Sequence, residues 1–430
     1  MNRVYKADLH IHSALSPCAE QEMTPPKIIH GAKARGLSII AITDHNSAAN
    51  TGAVVEAAKG SNILVIPGLE VQTREEVHLV CLFATVAEAV SLEEYLCQHS
   101  VQQQNNIKFF GSQSLMDNKG RITGEEIRLL IAPVNLTVEQ VVTEVRARGG
   151  ICIPAHVDRP SFSLLASLGF IPPELEIGCV EVSRHCYQDE AQFLFPGLKN
   201  LTLIGSSDAH ALSELGTQYS LISIPEAPSF QELKLALEGK LGRKVLPRMK
   251  EIALHIIDIA QNSIEAGATQ VGIKIEENLT DDYLALEITD NGRGMSQDMI
   301  ERVTDPFFTT RNTRRIGLGL PLLKAAAERC EGRLELTSVP GEGTKVVVRF
   351  KRSHIDRAPL GNMVDTIVNM VVGYPDLDLH FVHRIDDREI LFDSGELRRE
   401  LEDVPLNNLA VVNWIRNFLA EAYADLNSPI

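Results

Sequence analysis

Across residues 8–224, short apolar runs alternate with helical patterns, and most of the runs end on a histidine or an acid. The runs include LSIIAITDH, NILVIPGLE, VHLVCLF, GGICIPAH, CVEVSR and LTLIGSSDAH, with PPKIIHGAKARG, TGAVVEAAK and TVEQVVTEVRARGG between them. Strands separated by helices imply an α/β fold with parallel strands, and in α/β barrels the C-terminal strand ends carry the chemistry. Residues 100–124, with QQQNN and MDNKGR, are polar and weakly periodic, and read as a surface excursion.

A chain of 430 residues exceeds one ordinary core, so two or three domains are expected. Its net charge of −16 argues against broad capture of DNA or RNA, whose phosphates need basic footprints. Small phosphorylated ligands stay open, because bound metal ions can supply local positive charge. Seven cysteines, an odd count without a Cys-x-x-Cys pair, suit free thiols in a reducing compartment. Neither a leader pattern nor an apolar run of membrane-spanning length is present, so a cytoplasmic protein without a membrane partner is expected.

The strand ends deliver one set of groups: His10 and His12, Asp44 and His45, Glu70, His78, His156, and Asp208 with His210. Six of the thirteen histidines share this position type, which a scatter of structural histidines does not explain. Imidazole with carboxylate suits Zn, Mn or Fe. The order His-x-His, Thr-Asp-His, Pro-Gly-x-Glu, His, Pro-Ala-His, Ser-Asp-x-His resembles the PHP (polymerase and histidinol phosphatase) family over residues 2–224.

That resemblance implies a distorted (β/α)7 barrel, up to three divalent ions and hydrolysis of a small phosphoester. It implies that His10, His12, Glu70 and Asp208 hold one ion, with Glu70 bridging to a second held by His78 and His156. A third would take His45, His210 and an acid from the first loop. The ions would neutralise the phosphate and lower the pKa of a bridging water. Asp44 is expected to orient His45. The family's acid, about three residues after His-x-His, falls here on Leu15. Counting back from Pro25 recovers Glu20, preferred over Glu22, with Cys18 as a soft alternative. Arg159, and less clearly Arg184, are candidates to bind substrate phosphate.

Past residue 248 the pattern changes. A long helix, KEIALHIIDIAQNSIEAGA, carries Asp258 and Asn262 one turn apart on one face. The loop DNGRGM follows with Asp290, Gly292 and Gly294, then RRIGLGL with Gly317 and Gly319, and GEGTKV with Thr344. Paired glycines let backbone N–H groups approach phosphates, and a helix N-terminus adds a favourable dipole. Together these resemble the GHKL group (gyrase, Hsp90, histidine kinase, MutL), whose fold is a Bergerat-type α/β sandwich. The resemblance implies ATP with Mg: Asn262 for the ion, Asp290 for the adenine amino group, the glycines and Thr344 around the phosphates. Asp258 stands where ATPases of the group place a glutamate base. Arg311, Arg314 and Arg315 are lid candidates for the γ-phosphate. His255 shares the helix but lacks the dimerising hairpin of histidine kinases, so a structural role is expected.

The expected organisation is a PHP domain at 1–225, a linker helix at 226–247, the ATP-binding domain at 248–352 and a small α/β extension at 353–430. The expected function is phosphoester hydrolysis coupled to ATP binding. The rival is an ATP-dependent switch or protein kinase resembling anti-sigma-factor kinases, with a protein partner and the barrel as a metal-binding regulatory module.

Overall fold

The computed structural model describes residues 2–101, 103–184, 186–246, 250–303, 319–354, 356–402 and 404–426. They form two compact units, Met1–Arg248 and Met249–Ile430. Among the described residues no helix is long and apolar enough to cross a membrane.

The strands of the first unit are β1 (Arg3–Ile11), β2 (Ile39–Ile42), β3 (Leu64–Gln72), β4 (His78–Leu82), β5 (Ser114–Met116), β6 (Ile122–Glu125), β7 (Ile151–Pro154), β8 (Cys179–Val182), β9 (Thr202–Gly205), β10 (Ser220–Ile224) and β11 (Lys244–Leu246). β1, β2 and β3 run parallel, and β4 and β7 continue the sheet antiparallel. β7 packs beside the parallel β8–β9 pair, and a bridge from Ala209 to Ile11 returns the ring to β1. The result is a distorted seven-stranded barrel. Its strands are buried on both faces, which is why IIAI and HLVCL read as unbroken apolar runs rather than alternating ones.

The segment expected as a linker helix belongs to this unit. The helix Phe230–Leu237 packs on β10 and β11, and β11 extends the barrel sheet beyond β10. The polar excursion is also built in: β5 and β6 form a hairpin, Ser114 N–H donates to Ala14 O at 3.0 Å, and Met116 N–H donates to Asn50 Oδ1 at 2.9 Å. Backbone pairing and buried amides hold it where apolar periodicity is weak.

The second unit is an α/β sandwich. Its strands are β12 (Gln270–Asn278), β13 (Tyr283–Asp290), β14 (Arg333–Val339), β15 (Gly343–Lys351), β16 (Asp378–Ile385) and β17 (Arg388–Asp393), in the order β14-β15-β13-β12-β16-β17. β12 alternates, burying Val271, Ile273 and Ile275, so the sheet has one core face. The helices Ile252–Glu265, Gly319–Arg329, Met363–Gly373 and Leu409–Leu426 contribute their apolar stripes to the core. Phe350 and Phe381 are fully buried there, each stabilising by about 1.5–3 kcal/mol relative to exposure.

Residues 353–430, expected as an extension, contribute β16 and β17 to this same sheet. β16 lies parallel to β12, from Gln270↔Asp378 to Glu277↔Ile385. A hairpin cannot bury its apolar face alone; pairing with β12 and packing under the helix Leu409–Leu426 does so.

Candidate metal centre and nucleotide site

Six imidazoles and two carboxylates meet at one end of the barrel. His10 and His12 leave β1 on one face, with their Nε2 atoms 3.2 Å apart. Glu70 lies on β3 and is reached by His10, His12, His45, His78 and His156 at 2.8–3.5 Å. Asp208 Oδ1 lies 3.4 Å from His10 Nε2 and 3.2 Å from His12 Nε2. His156 (φ 33) and Asp208 (φ 51) both hold left-handed backbone, strain that persists where surrounding structure fixes a functional group.

Among the described residues three groups of donor atoms result: His10, His12 and Asp208; His45, Glu70 and His78; and His12, His45 and His210. His78 Nε2, His156 Nδ1, His45 Nδ1 and Glu70 Oε1 are buried without a hydrogen-bond partner. Unpaired buried polar atoms are costly, and cations at the donor groups would satisfy those that face them. Burial pushes the Glu70 carboxyl up, but His78, His10 and His45 outweigh it and hold it well below the usual carboxylate range. Burial likewise opposes charge on His10, yet Glu181, Glu70 and Asp208 raise its pKa well above the ordinary value. The pocket calls for positive charge, and residues of this donor type fit divalent ions.

The partition differs from the expected one in places. His45 groups with Glu70 and His78, while His156 stands beside them, its Nε2 3.5 Å from Glu70. Glu20 is exposed and its carboxylate joins none of the three groups; its backbone N–H instead donates to His210 O at 2.8 Å. Cys18, the soft alternative, is likewise exposed and joins none of the three groups, although, against the cost of desolvation, the neighbouring His210 and His45 bring its thiol's pKa down to about 6. The tight turns through Ser13, Ser16 and Ala19 leave both Cys18 and Glu20 exposed, which counting along the chain does not reveal.

Asp44 does not hydrogen-bond the ring of His45. It accepts from Ser13 N–H at 2.7 Å, Ser13 Oγ at 2.6 Å and Ser16 Oγ at 2.7 Å, and Ser16 Oγ lies 2.9 Å from His12 Nδ1. The carboxylate therefore fixes the first loop and, through Ser16, the ring of His12. Arg159 pairs with Asp208 at 2.7 Å, its side chain 33% exposed at the rim. Arg184 lies 2.6 Å from Glu214.

Glu181 escaped the sequence reading. It is buried on β8, with Oε1 3.0 Å from His10 Nδ1 and 3.3 Å from the N–H of His156. An acid inside the apolar run CVEV was the available signal, since buried acids need partners.

In the second unit, Asp258 and the exposed Asn262 project from the helix Ile252–Glu265 beside Gly319, which opens the helix Gly319–Arg329. Asp290 ends β13; its Oδ2 accepts from Ser263 Oγ at 2.7 Å and its Oδ1 from Gly292 N–H at 2.9 Å. Ser263 is a second residue the sequence reading missed. Gly294 (φ 64) and Gly343 (φ 117) need left-handed backbone, and a Cβ would strike Val339 O and Asp290 O respectively. Thr344 pairs with Asp290 across the sheet. Asp258 is held by Lys250 at 2.7 Å. His255 is 1% exposed with neither ring nitrogen hydrogen-bonded, so it is a core residue. Gly317, Arg311, Arg314 and Arg315 lie outside the described residues.

The comparisons with known proteins bear on both units. The family described as "PHP domain" matches residues 8–149. "Histidine kinase-, DNA gyrase B-, and HSP90-like ATPase" matches residues 248–354. A provisionally named sensor protein of Shewanella frigidimarina is 25% identical over 282 residues, 62% of this chain and 41% of that protein. The sensor protein kinase FleS of Pseudomonas aeruginosa is 38% identical over 103 residues, 24% of this chain and 25% of that protein. The chain thus spans less than half of either relative's length. Among solved structures, the lesion-specific endonuclease PfuEndoQ from Pyrococcus furiosus is 22% identical, with a TM-score of 0.44, covering 58% of this chain and 61% of that one. By the two family matches, at residues 8–149 and 248–354, the chain carries a PHP domain joined to a histidine kinase-, DNA gyrase B- and HSP90-like ATPase domain.

Proposed function

We propose that the barrel hydrolyses a small phosphorylated substrate with divalent metal ions and that the second unit binds ATP as regulator or second activity. The observation that carries this reading is the convergence of six imidazoles with Glu70 and Asp208, four of whose buried donor atoms have no hydrogen-bond partner. In this reading His10, His12 and Asp208 hold one ion and His45, Glu70 and His78 a second, with His156 beside it. His12, His45 and His210 form the third position. Bound there, divalent ions would offset phosphate charge and lower the pKa of water.

The protein's own groups set the rest. Glu181 accepts the Nδ1 proton of His10 and leaves Nε2 free as a donor. Arg159, at the rim and paired with Asp208 at 2.7 Å, has remaining donors for phosphate oxygens. In the second unit, Asn262 is assigned to Mg²⁺ and Asp290 to the adenine amino group, its carboxylate oriented by Ser263 and Gly292.

One observation favours nucleotide binding with slow turnover. Asp258, in the place of the general base, is paired with the Lys250 ammonium at 2.7 Å, so one of its carboxylate oxygens is already engaged. This supports the second unit as a switch, in line with the sensor-kinase names of its relatives. His255 as a phosphate acceptor is disfavoured by its burial.

The test is a screen of phosphomonoesters, phosphodiesters and oligonucleotides with the metal-loaded full chain, with and without ATP. Ester hydrolysis, read as phosphate from monoesters and as the new monoester from diesters and oligonucleotides, is expected to vanish in Asp208→Ala, and its rate should change when ATP is added. No hydrolysis of any ester under any metal would contradict the hydrolase reading.

A further inference from the structure

The loop between β7 and the helix Leu164–Leu168 carries a strained aromatic residue beside the donor groups. Phe162 holds left-handed backbone (φ 55), which a bulky side chain adopts only where its surroundings impose it. They do so here. His78 N–H donates to Phe162 O at 3.1 Å, and Arg159 N–H donates to His156 O at 2.9 Å. Ser163 Oγ donates to Arg159 O at 2.7 Å and accepts from Ala166 N–H at 3.1 Å.

The ring held in this way stacks on the imidazole of His78, with centroids 4.9 Å apart and planes inclined by 26°. His78 Nδ1 lies 2.8 Å from Glu70 Oε1, so the phenyl ring sits against the His45–Glu70–His78 group. Phe162 nevertheless stays 42% exposed, which leaves aromatic surface open to a ligand. Three residues earlier, Arg159 reaches Asp208 of another donor group at 2.7 Å. One short loop thus sets a guanidinium beside one group and an exposed aromatic ring beside the next.

We propose that Phe162 is a specificity-determining residue of the barrel: it stacks on the base of a nucleoside phosphoester whose phosphate lies between Arg159 and the donor groups. The inference deepens the hydrolase reading and rests on it. Stacking tolerates any base, because every base has a π-face, and it favours a nucleoside ester over a sugar phosphate of equal charge. The pinned backbone fixes the ring before substrate arrives, so little ordering remains to oppose binding. A ligand of nucleotide size needs no extended basic footprint, in keeping with the net charge of −16.

The experiment compares hydrolysis of AMP, UMP and ribose 5-phosphate by the metal-loaded full chain, beside Phe162→Leu, Phe162→Asn and Phe162→Tyr. Leucine keeps apolar bulk, asparagine suits the left-handed backbone without a ring, and tyrosine keeps the ring. The wild type should prefer both nucleotides to the sugar phosphate. Phe162→Leu and Phe162→Asn should raise KM for AMP and UMP by roughly 10-fold or more, with kcat and the constants for ribose 5-phosphate nearly unchanged. Phe162→Tyr should restore the wild-type values. Apart from turnover, the fluorescence of 2-aminopurine riboside monophosphate should be quenched more by the wild type and Phe162→Tyr than by Phe162→Leu.

Equal losses on nucleotides and ribose 5-phosphate, equal quenching by the wild type and Phe162→Leu, or a wild type without preference for the nucleotides would overturn the proposal alone. So would hydrolysis of other esters but of none of these three. A wild type that hydrolyses no ester of any kind would overturn both the proposal and the hydrolase reading.

Discussion

Nδ1 of His10 lies 3.0 Å from Oε1 of Glu181, on the ring edge opposite the Nε2 that faces Glu70 at 3.3 Å and Asp208 at 3.4 Å. A carboxylate behind an imidazole fixes its tautomer and raises its donor strength. Glu181→Gln preserves shape but weakens this effect. It should lower metal affinity of the centre by about 10–100-fold, measured by competition with a chromophoric chelator, with little change in thermal stability.

Asp44 works through the first loop. Its two oxygens accept three hydrogen bonds from Ser13 and Ser16. Asp44→Asn leaves one of these donors facing an amide N–H in a fully buried place. The expected cost is about 1–3 kcal/mol in chemical denaturation of the first unit, with weakened metal binding at His12.

The second unit should lose stability in mild acid because of His255. Burial, with Lys250 and Arg329 nearby, lowers its pKa from 6.5 to about 3. Above pH 6.5 the ring is neutral in both folded and unfolded states. Below it the unfolded chain takes up a proton that the folded one refuses, so stability falls as pH drops towards about 3. From pH 6.5 to 5 this one group removes about 2 kcal/mol. His255→Leu should flatten the pH dependence by that amount in denaturation of the full chain; an unchanged slope would contradict it.

How much of this was legible in the sequence follows from chain locality. His10, His12, His45, Glu70, His156, Asp208 and His210 lie at or near the ends of apolar runs and His78 opens one, so position along the runs collected them. The partition into groups was not legible, because it depends on how β1, β3 and β4 bring distant strand ends within bonding distance. Neither Glu20 nor Cys18 joins a donor group, because the turns of the first loop leave both exposed, which counting residues cannot see. Likewise β16 and β17 were assigned to an extension, since parallel pairing with β12 is a non-local event that leaves no local pattern.

The nucleotide site makes its own prediction through Ser263. Its hydroxyl donates to Asp290 at 2.7 Å and holds the carboxylate assigned to adenine. A hydrogen bond to a charged group contributes about 1.5–3 kcal/mol. Ser263→Ala should therefore weaken ATP binding by roughly 10-fold or more in calorimetry, whereas Asp290→Asn should abolish it.

The central claim is that the strand-end histidines and acids form a multinuclear metal centre. The most direct measurement is the metal content of the full chain, zinc-loaded and desalted, by elemental analysis beside His12→Ala and His45→Ala, the two residues shared between donor groups. The account predicts a wild-type content approaching three ions per chain, one for each group, and a clear fall in both variants. A wild type that retains no metal, or variants that retain as much as the wild type, would contradict it.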